Sequence, residues 1–431
     1  MKVFKGDVKN RSDKNEHPGL KIGMLACLLV SLLTYTNCSR EKISRPNYHF
    51  NGKISEQVLR NYLDRSITLT ELCTPPLIKS DASDQAHSDN LRLIKNIGAK
   101  LVGRSLFCWG GEEKLNDPEF LSFARETIEA AHAFDKDIVF QAAIFEAVSK
   151  GVERINIPYK VFEAFGLPVS DRAFNYQAML FSSGLYKDRW GEDCSVPDVT
   201  KMESKLWLYF LASTYIDSGF EGIHWGQVAL MGHDDPDLEH WSQLLGMIRS
   251  YARAKARRHF IINDAHAPHG GFLKDGKHLF DFNSFPLRIK ALEDEEPNGI
   301  LAEGYLDAIY NKSRGGRTPS GWACKNLPYL VEFDNFGISS DPGNPVEGCF
   351  IWGYDEISWF SLRREEDQKA WLEYAYHWLG KTDPNGYLQM PVSRVVTYEK
   401  PGYHRYNANI KSSACPNGTG LEIKIKELWT P

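Results

Sequence analysis

The feature that most constrains this chain is an alternation of two hydrophobic periods. Short apolar runs rich in β-forming residues alternate with longer runs whose apolar positions recur near every 3.6 residues. Residues 67–73 read as the first strand, stopped by Pro75 and Pro76. The spacing of Leu91, Leu93, Ile94 and Ile97 predicts a helix over 83–97. Strand two follows over 100–109 and is closed by Gly110 and Gly111. Asp117 and Pro118 open a helix to Phe134, with proline in the first turn. Residues 138–145 form strand three, and an irregular insertion rich in aromatic and polar residues spans 152–197. A helix over 201–218, strand four over 222–228, a helix over 238–258 and strand five over 259–264 come next. Residues 278–283, 327–334 and 348–352 supply three more strands, and a helix over 366–379 ends at Gly380.

Strands joined through helices pair in parallel, because a parallel pair needs a long crossover connection. Their number and spacing predict an α/β chain folded as a (β/α)8 TIM-type barrel with a short C-terminal extension. No G-x-G-x-x-G follows any strand, which argues against a doubly wound dinucleotide-binding sheet. The barrel is assigned to 66–385, after a polar linker over 39–65. The extension, 386–431, is too short for its own core and is expected to pack on the barrel. Its final run, 421–429, fits a strand or a short helix.

Composition narrows the partners. With 42% hydrophobic and 25% charged residues among 431, the chain is an ordinary globular protein. A net charge of -5 offers nothing to a polyanion, so nucleic acid is not expected as a partner. The cysteines are scattered without a C-x-x-C pair, so no zinc or redox motif is visible. Eleven Trp and 19 Tyr are more than a core needs.

At the N-terminus, Lys2, Lys5, Lys9, Arg11, Lys14 and Lys21 precede an apolar run over 22–33. A membrane-spanning helix needs about 20 apolar residues, so this run is short for a span and reads as a secretory signal. A signal anchor is the alternative. Cys38, just past the run, resembles the lipidation site of bacterial lipoproteins, and 1–38 is assigned as their signal segment. That resemblance implies export and a lipid anchor in a bacterial (outer) membrane, facing the periplasm or the cell surface, with no other membrane contact.

Polar and aromatic residues gather at the predicted strand ends, where a barrel carries its chemistry. In order they are Arg104 with Trp109, Gln141 with Glu146, His224-Trp225-Gly226-Gln227, Asn263-Asp264-Ala265-His266, Glu332 with Asp334, and Trp352 with Asp355. Burying so many polar groups without a ligand is costly. Amides and carboxylates pair with sugar hydroxyls, and indoles stack on sugar C–H faces. Arg104, Trp109, His224, Trp225, Gln227, His266, Asp334, Trp352 and Asp355 are therefore the candidate substrate-binding residues. Trp225 is expected to line the barrel mouth, since Gly226 opens the backbone beside it.

A barrel with such strand ends resembles the glycoside hydrolases of glycan-degrading bacteria. Residues 219–226, Gly-Phe-Glu-Gly-Ile-His-Trp-Gly, look like the fourth-strand segment of alpha-amylase-type barrels. In that register His224 takes the place of the family's Arg, and Gly226 stands where the family has its nucleophilic Asp. The resemblance implies a glycan or oligosaccharide substrate and no cofactor or metal.

Glycoside hydrolysis needs two carboxyl groups across the bond. Period two places Glu332 and Asp334 on one face of strand seven, and Glu332 is the candidate nucleophile or base. Glu146, flanked by Ile144, Phe145 and Ala147, is the candidate acid, since apolar surroundings favour a protonated carboxyl. Asp264 is the third catalytic candidate. A plain salt bridge from Glu332 to Arg104 is the competing account of that strand. Two further readings stay open: a non-catalytic glycan-binding surface lipoprotein, motivated by Gly226, and a metal-dependent hydrolase using His224, His233, Asp264, His266 and His269.

Overall fold

The computed structural model describes residues 46–291, 299–304, 312–335, 356–396 and 405–430. Seven strands pair in chain order, each parallel to the next: β1 (Ser66–Leu69), β2 (Leu101–Phe107), β3 (Val139–Ala143), β4 (Gly222–His224), β5 (Ile262–His266), β6 (Phe282–Pro286) and β7 (Tyr329–Glu332). The eighth, β8, comes in two runs, Gly386–Leu388 and Met390–Val395. The first run pairs with β7, Tyr387 opposite Leu330, and the second with β1, Met390 opposite Ile67. Gln389 joins them, its N–H donating to Val331 O at 2.8 Å and its Nε2 to Ile67 O at 3.3 Å. The sheet therefore closes on itself, and the chain is a TIM-type barrel. A ninth strand, β9 (Arg405–Asn407), adds antiparallel to the second run of β8.

Closure by 386–395 differs from the expectation. The strand expected over 348–352 lies outside the described residues, and the closing strand comes from the segment assigned to the extension. Pro391 hides it, because a proline lacks the N–H that a central strand uses.

Residues 46–65 are not a free linker either. Helix α1 (Glu56–Leu63) starts at Ser55, whose side chain accepts from Val58 N. Its Val58, Leu59, Tyr62 and Leu63 are buried with Phe50 and Ile54 against Leu101, Val139, Ile262 and Phe282, the first residues of four strands. This helix seals the N-terminal end of the barrel, each buried Leu or Val contributing roughly 1.5–3 kcal/mol.

Outside the strands, α2 (Asp81–Ile97) is capped by Ser80 and stopped by Gly98 at φ 73. Helix α3 (Pro118–Phe134) starts at Asp117 as the proline signal predicts. Helix α4 (Met202–Asp217) is buried from Glu203 to Ile216, because the aromatic insertion covers its outer face: Phe174 packs on Trp207 with ring centroids 5.0 Å apart. Helices α5 (Glu239–Lys255) and α6 (Glu365–Thr382) follow β4 and precede β8. The connection over 267–281 carries no α-helix, so the alternation is broken between β5 and β6. The final run forms helix α7 (Leu421–Trp429), anchored by buried Glu422, which accepts from both Arg92 amino groups at 2.8 and 2.7 Å.

Candidate functional site

At the C-terminal end of the barrel the site begins with a kink in β2. Its register against β3 shifts between Val102 and Leu106. Arg104 lies inside that shift at φ 55, a conformation that costs a residue with a Cβ. Gly103 beside it has no room for a side chain, since a Cβ there would fall 2.4 Å from Gln389 Nε2.

The Arg104 side chain is the hub of a buried cluster. Its Nη1 donates to Asp334 Oδ1 at 3.1 Å and its Nη2 pairs with Glu332 Oε1. The same Nη2 lies 3.2 Å from His224 Nε2 and 3.1 Å from His266 Nε2. Arg394, from the second run of β8, closes the cluster from the other side. It donates to Glu332 Oε2 and to Asp334 Oδ1, both at 3.0 Å. His266 Nε2 meets Glu332 Oε1 at 3.0 Å, and its side chain, 12% exposed, is the most open of the group.

Below this layer sits Asp264. Gln141 Nε2 donates to its Oδ1 at 2.7 Å, and Ser284 Oγ donates to its Oδ2. His224 Nδ1 lies 2.8 Å from that same Oδ2. A guanidinium only donates, so the His224 Nε2 facing Arg104 accepts, and the ring hydrogen sits on Nδ1, donating to Asp264.

Electrostatics divide the carboxyl groups. Burial alone would raise Glu332, but Arg104, the hydrogen bond from His266 and the charge of Arg394 outweigh it and hold the carboxyl below its ordinary range. Asp334, equally buried, is held far down by Arg104, His266 and Arg394. Asp264 goes the other way: burial pushes it up to about 7 against the pull of Ser284 and Arg104. Burial, reinforced by Arg104, holds His224 well below the usual imidazole range.

The cluster thus joins Arg104, His224, Asp264, His266, Glu332 and Asp334 from the expected set, and the ion pair between Arg104 and Glu332 is present. Glu146 stands apart from it. Its Oε2 accepts from Gln227 N and its Oε1 from Gln227 Nε2, both at 2.8 Å. It also fills the space over Gly226, where a Cβ would lie 2.3 Å from Glu146 Oε2. The position that carries the nucleophile in the amylase-type register is therefore occupied by a neighbour's carboxylate.

The structure corrects Trp225. It is 0% exposed, packs edge-on to Trp241 and donates from Nε1 to Asn263 Oδ1 at 3.0 Å. With His224 pointing inward, strand alternation sends Trp225 outward into the sheet–helix layer. Trp109 is the aromatic at the mouth: it is 42% exposed, beside Phe145 and Trp190 at 5.5 and 5.2 Å between centroids. Trp352, Asp355 and Cys38 lie outside the described residues.

Among the described residues His224, His266 and Glu332 offer ligand atoms within 4.8 Å of one another. The Arg104 guanidinium lies against all three atoms and brings the positive charge there itself. His233 and His269 do not join them: His233 sits half-exposed 4.0 Å from Asp234, and His269 is exposed in a turn at φ 59.

Sequence reasoning missed Arg394, Ser284 and Trp190. Arg394 hid behind Pro391, and Ser284 carries no signal beyond its strand. Trp190 sits in the insertion, where its Nε1 donates to Glu146 O at 2.9 Å.

No family model matches the chain, and no curated protein sequence matches it. Among solved structures, it is similar to a β-glucuronidase from Ruminococcus gnavus, with 10% identity and a TM-score of 0.40 over 85% of this chain and 48% of that one. It is similar to a xylosidase from Aspergillus niger at 11% identity and TM-score 0.40, again over 85% and 48%. A β-L-arabinopyranosidase from Geobacillus stearothermophilus gives 10% identity and TM-score 0.36 over 86% and 76%. The chain spans about half the length of the first two. Likenesses this distant carry no argument about activity, and the barrel stands on its own strand pairing.

Proposed function

We propose that this protein is a glycoside hydrolase whose reaction centre is the Arg104–Glu332 cluster. The observation that carries the reading is the division of carboxyl groups. Glu332 is held below the ordinary carboxyl range, while Asp264, three contacts away through His224 and Arg104, is pushed up to about 7. Glycosidases need one carboxylate and one carboxylic acid in the same site at the same pH. Glu332 acts as nucleophile or base. Glu146 is the candidate acid, and Asp264, raised by burial, is the other carboxyl at this end of the barrel. Trp109, exposed beside the mouth, offers its face to a sugar ring.

Export and acylation at Cys38 belong to the same proposal, because glycans to be degraded lie outside the cytoplasm. The test is incubation with a panel of plant, algal and host glycans, with released reducing ends as the readout. New reducing ends support a hydrolase.

One observation favours a second reading. Both oxygens of Glu332 are engaged by arginines, which weakens a nucleophile. Calorimetric binding of a glycan with no product over days would make the protein a glycan-binding one.

A further inference from the structure

We propose that a cleft on the flank of the barrel, lined by none of the residues of the Arg104–Glu332 cluster, binds a neutral sugar residue. The cleft has a volume of about 340 Å³ and lies between the loop after β1, helices α2 and α3, and the segment that follows β9.

Its lining has the chemistry of polyol recognition. Arg405 pairs with Glu71 and donates to Thr70 O and Thr70 Oγ1 at 3.1 and 3.0 Å. The guanidinium charge is thereby matched, so the wall does not select an anion such as a phosphate. His87 lies 3.3 Å from Thr127 Oγ1, and burial holds it below the usual imidazole range, so it adds no charge near neutral pH. Phe123, packed on His87 with centroids 4.9 Å apart, supplies a flat apolar wall for C–H groups. Asn407 and Asn409 supply side-chain amides; Asn409 spends its Nδ2 on Asp89 and Asn90 and offers its Oδ1 as an acceptor.

A second observation points to a missing ligand. Asn409 is 1% exposed and donates from Nδ2 to Asp89 Oδ2 at 2.7 Å, yet its Oδ1 has no hydrogen-bond partner. Thr74 Oγ1, also on the lining, is likewise buried without one. Such groups are costly to leave unmatched, and hydroxyl donors answer both. Glu71 on the rim holds φ 62, a strained conformation for a residue with a side chain, fixed by its N–H donating to Arg104 O at 3.3 Å.

The test uses saturation-transfer NMR on the full chain with glucose, galactose, mannose, xylose, arabinose and N-acetylglucosamine as probes. Two variants block the cleft: Ala86→Phe, on the face of α2 that lines it, and Asn417→Trp, on an exposed loop that tolerates bulk. Melting curves establish that each is folded, and Asn417→Trp keeps the test open where Ala86→Phe fails to fold. At least one sugar is expected to bind, with affinity reduced about tenfold or more in the folded blocking variants and unchanged in Glu332→Gln. Absence of binding by every probe overturns the proposal. So does wild-type affinity in a folded blocking variant, or loss of binding in Glu332→Gln alone. A sugar held only at the barrel centre would keep its affinity in both blocking variants, so the failure of this proposal is told apart from the failure of the proposed hydrolase.

Discussion

His224 donates its Nδ1 hydrogen to Asp264 across 2.8 Å, and that bond settles what the imidazole's other nitrogen does. Nε2 faces the donor-only Arg104 at 3.2 Å, so the ring is neutral, while burial pushes the Asp264 carboxyl up to about 7. Above it, Arg104 and Arg394 keep Glu332 and Asp334 ionised. One end of the barrel therefore holds one carboxyl that is raised and two that are lowered.

The raised Asp264 makes a prediction about pH. Its folded value of about 7 exceeds the ordinary 3.8, so between those values the native state binds more protons than the unfolded chain. Its contribution to stability is full below about pH 4 and is lost as pH rises through about 7. Denaturant unfolding of wild type should show stability falling by on the order of 1–3 kcal/mol between about pH 5 and about pH 8 from this group. Asp264→Asn should remove that fall, whereas parallel pH profiles for the two proteins would contradict the assignment. Under the proposed function, kcat/KM on a glycan should also decline above about pH 7 as the Asp264 proton is lost.

The two tryptophans should separate cleanly. Trp225→Ala removes a fully buried indole and should cost about 3–5 kcal/mol, read as a large drop in melting temperature. Trp109→Ala removes one that is 42% exposed and should leave melting nearly unchanged while weakening glycan binding roughly tenfold. An unaffected melting temperature in Trp225→Ala would contradict the burial described here.

Gly226 combines φ 53 with a Cβ position 2.3 Å from Glu146 Oε2. Gly226→Ala should therefore destabilise by at least about 1–2 kcal/mol through backbone conformation alone. It should also break the paired hydrogen bonds between Glu146 and Gln227. A variant as stable as wild type, with both hydrogen bonds intact in its crystal structure, would show that the turn has room to spare.

The barrel was legible because crossover-linked strands leave few alternatives, and the inward placing of Glu332 on β7 and of Asp334 just past its end followed from period two. Other features were hidden for specific physical reasons. Pro391 disguised the closing strand and with it Arg394, the second cation on Glu332. The run that forms α1 was too short to stand out by periodicity from the polar stretch around it. Trp225 was misplaced because proximity to Gly226 was weighed above alternation with His224. The bulge that turns Arg104 inward depends on what Gln389 and Gln141 occupy around Gly103, which no local pattern records.

The proposed anchor predicts that Cys38→Ser moves the protein from the membrane fraction to the soluble fraction of the producing cell. Fractionation followed by immunoblotting reads this directly. Unchanged membrane retention would point to a signal anchor over 22–33.

Glu332→Gln removes the charge of the proposed nucleophile or base while keeping its volume. Turnover of the best glycan substrate should be compared in wild type, Glu332→Gln and Glu146→Gln, with glycan affinity measured alongside. Glu332→Gln should lose turnover by orders of magnitude, roughly 10³-fold or more, while affinity changes little. Near wild-type turnover in a folded Glu332→Gln protein would contradict it and leave the Arg104–Glu332 pair as a structural salt bridge.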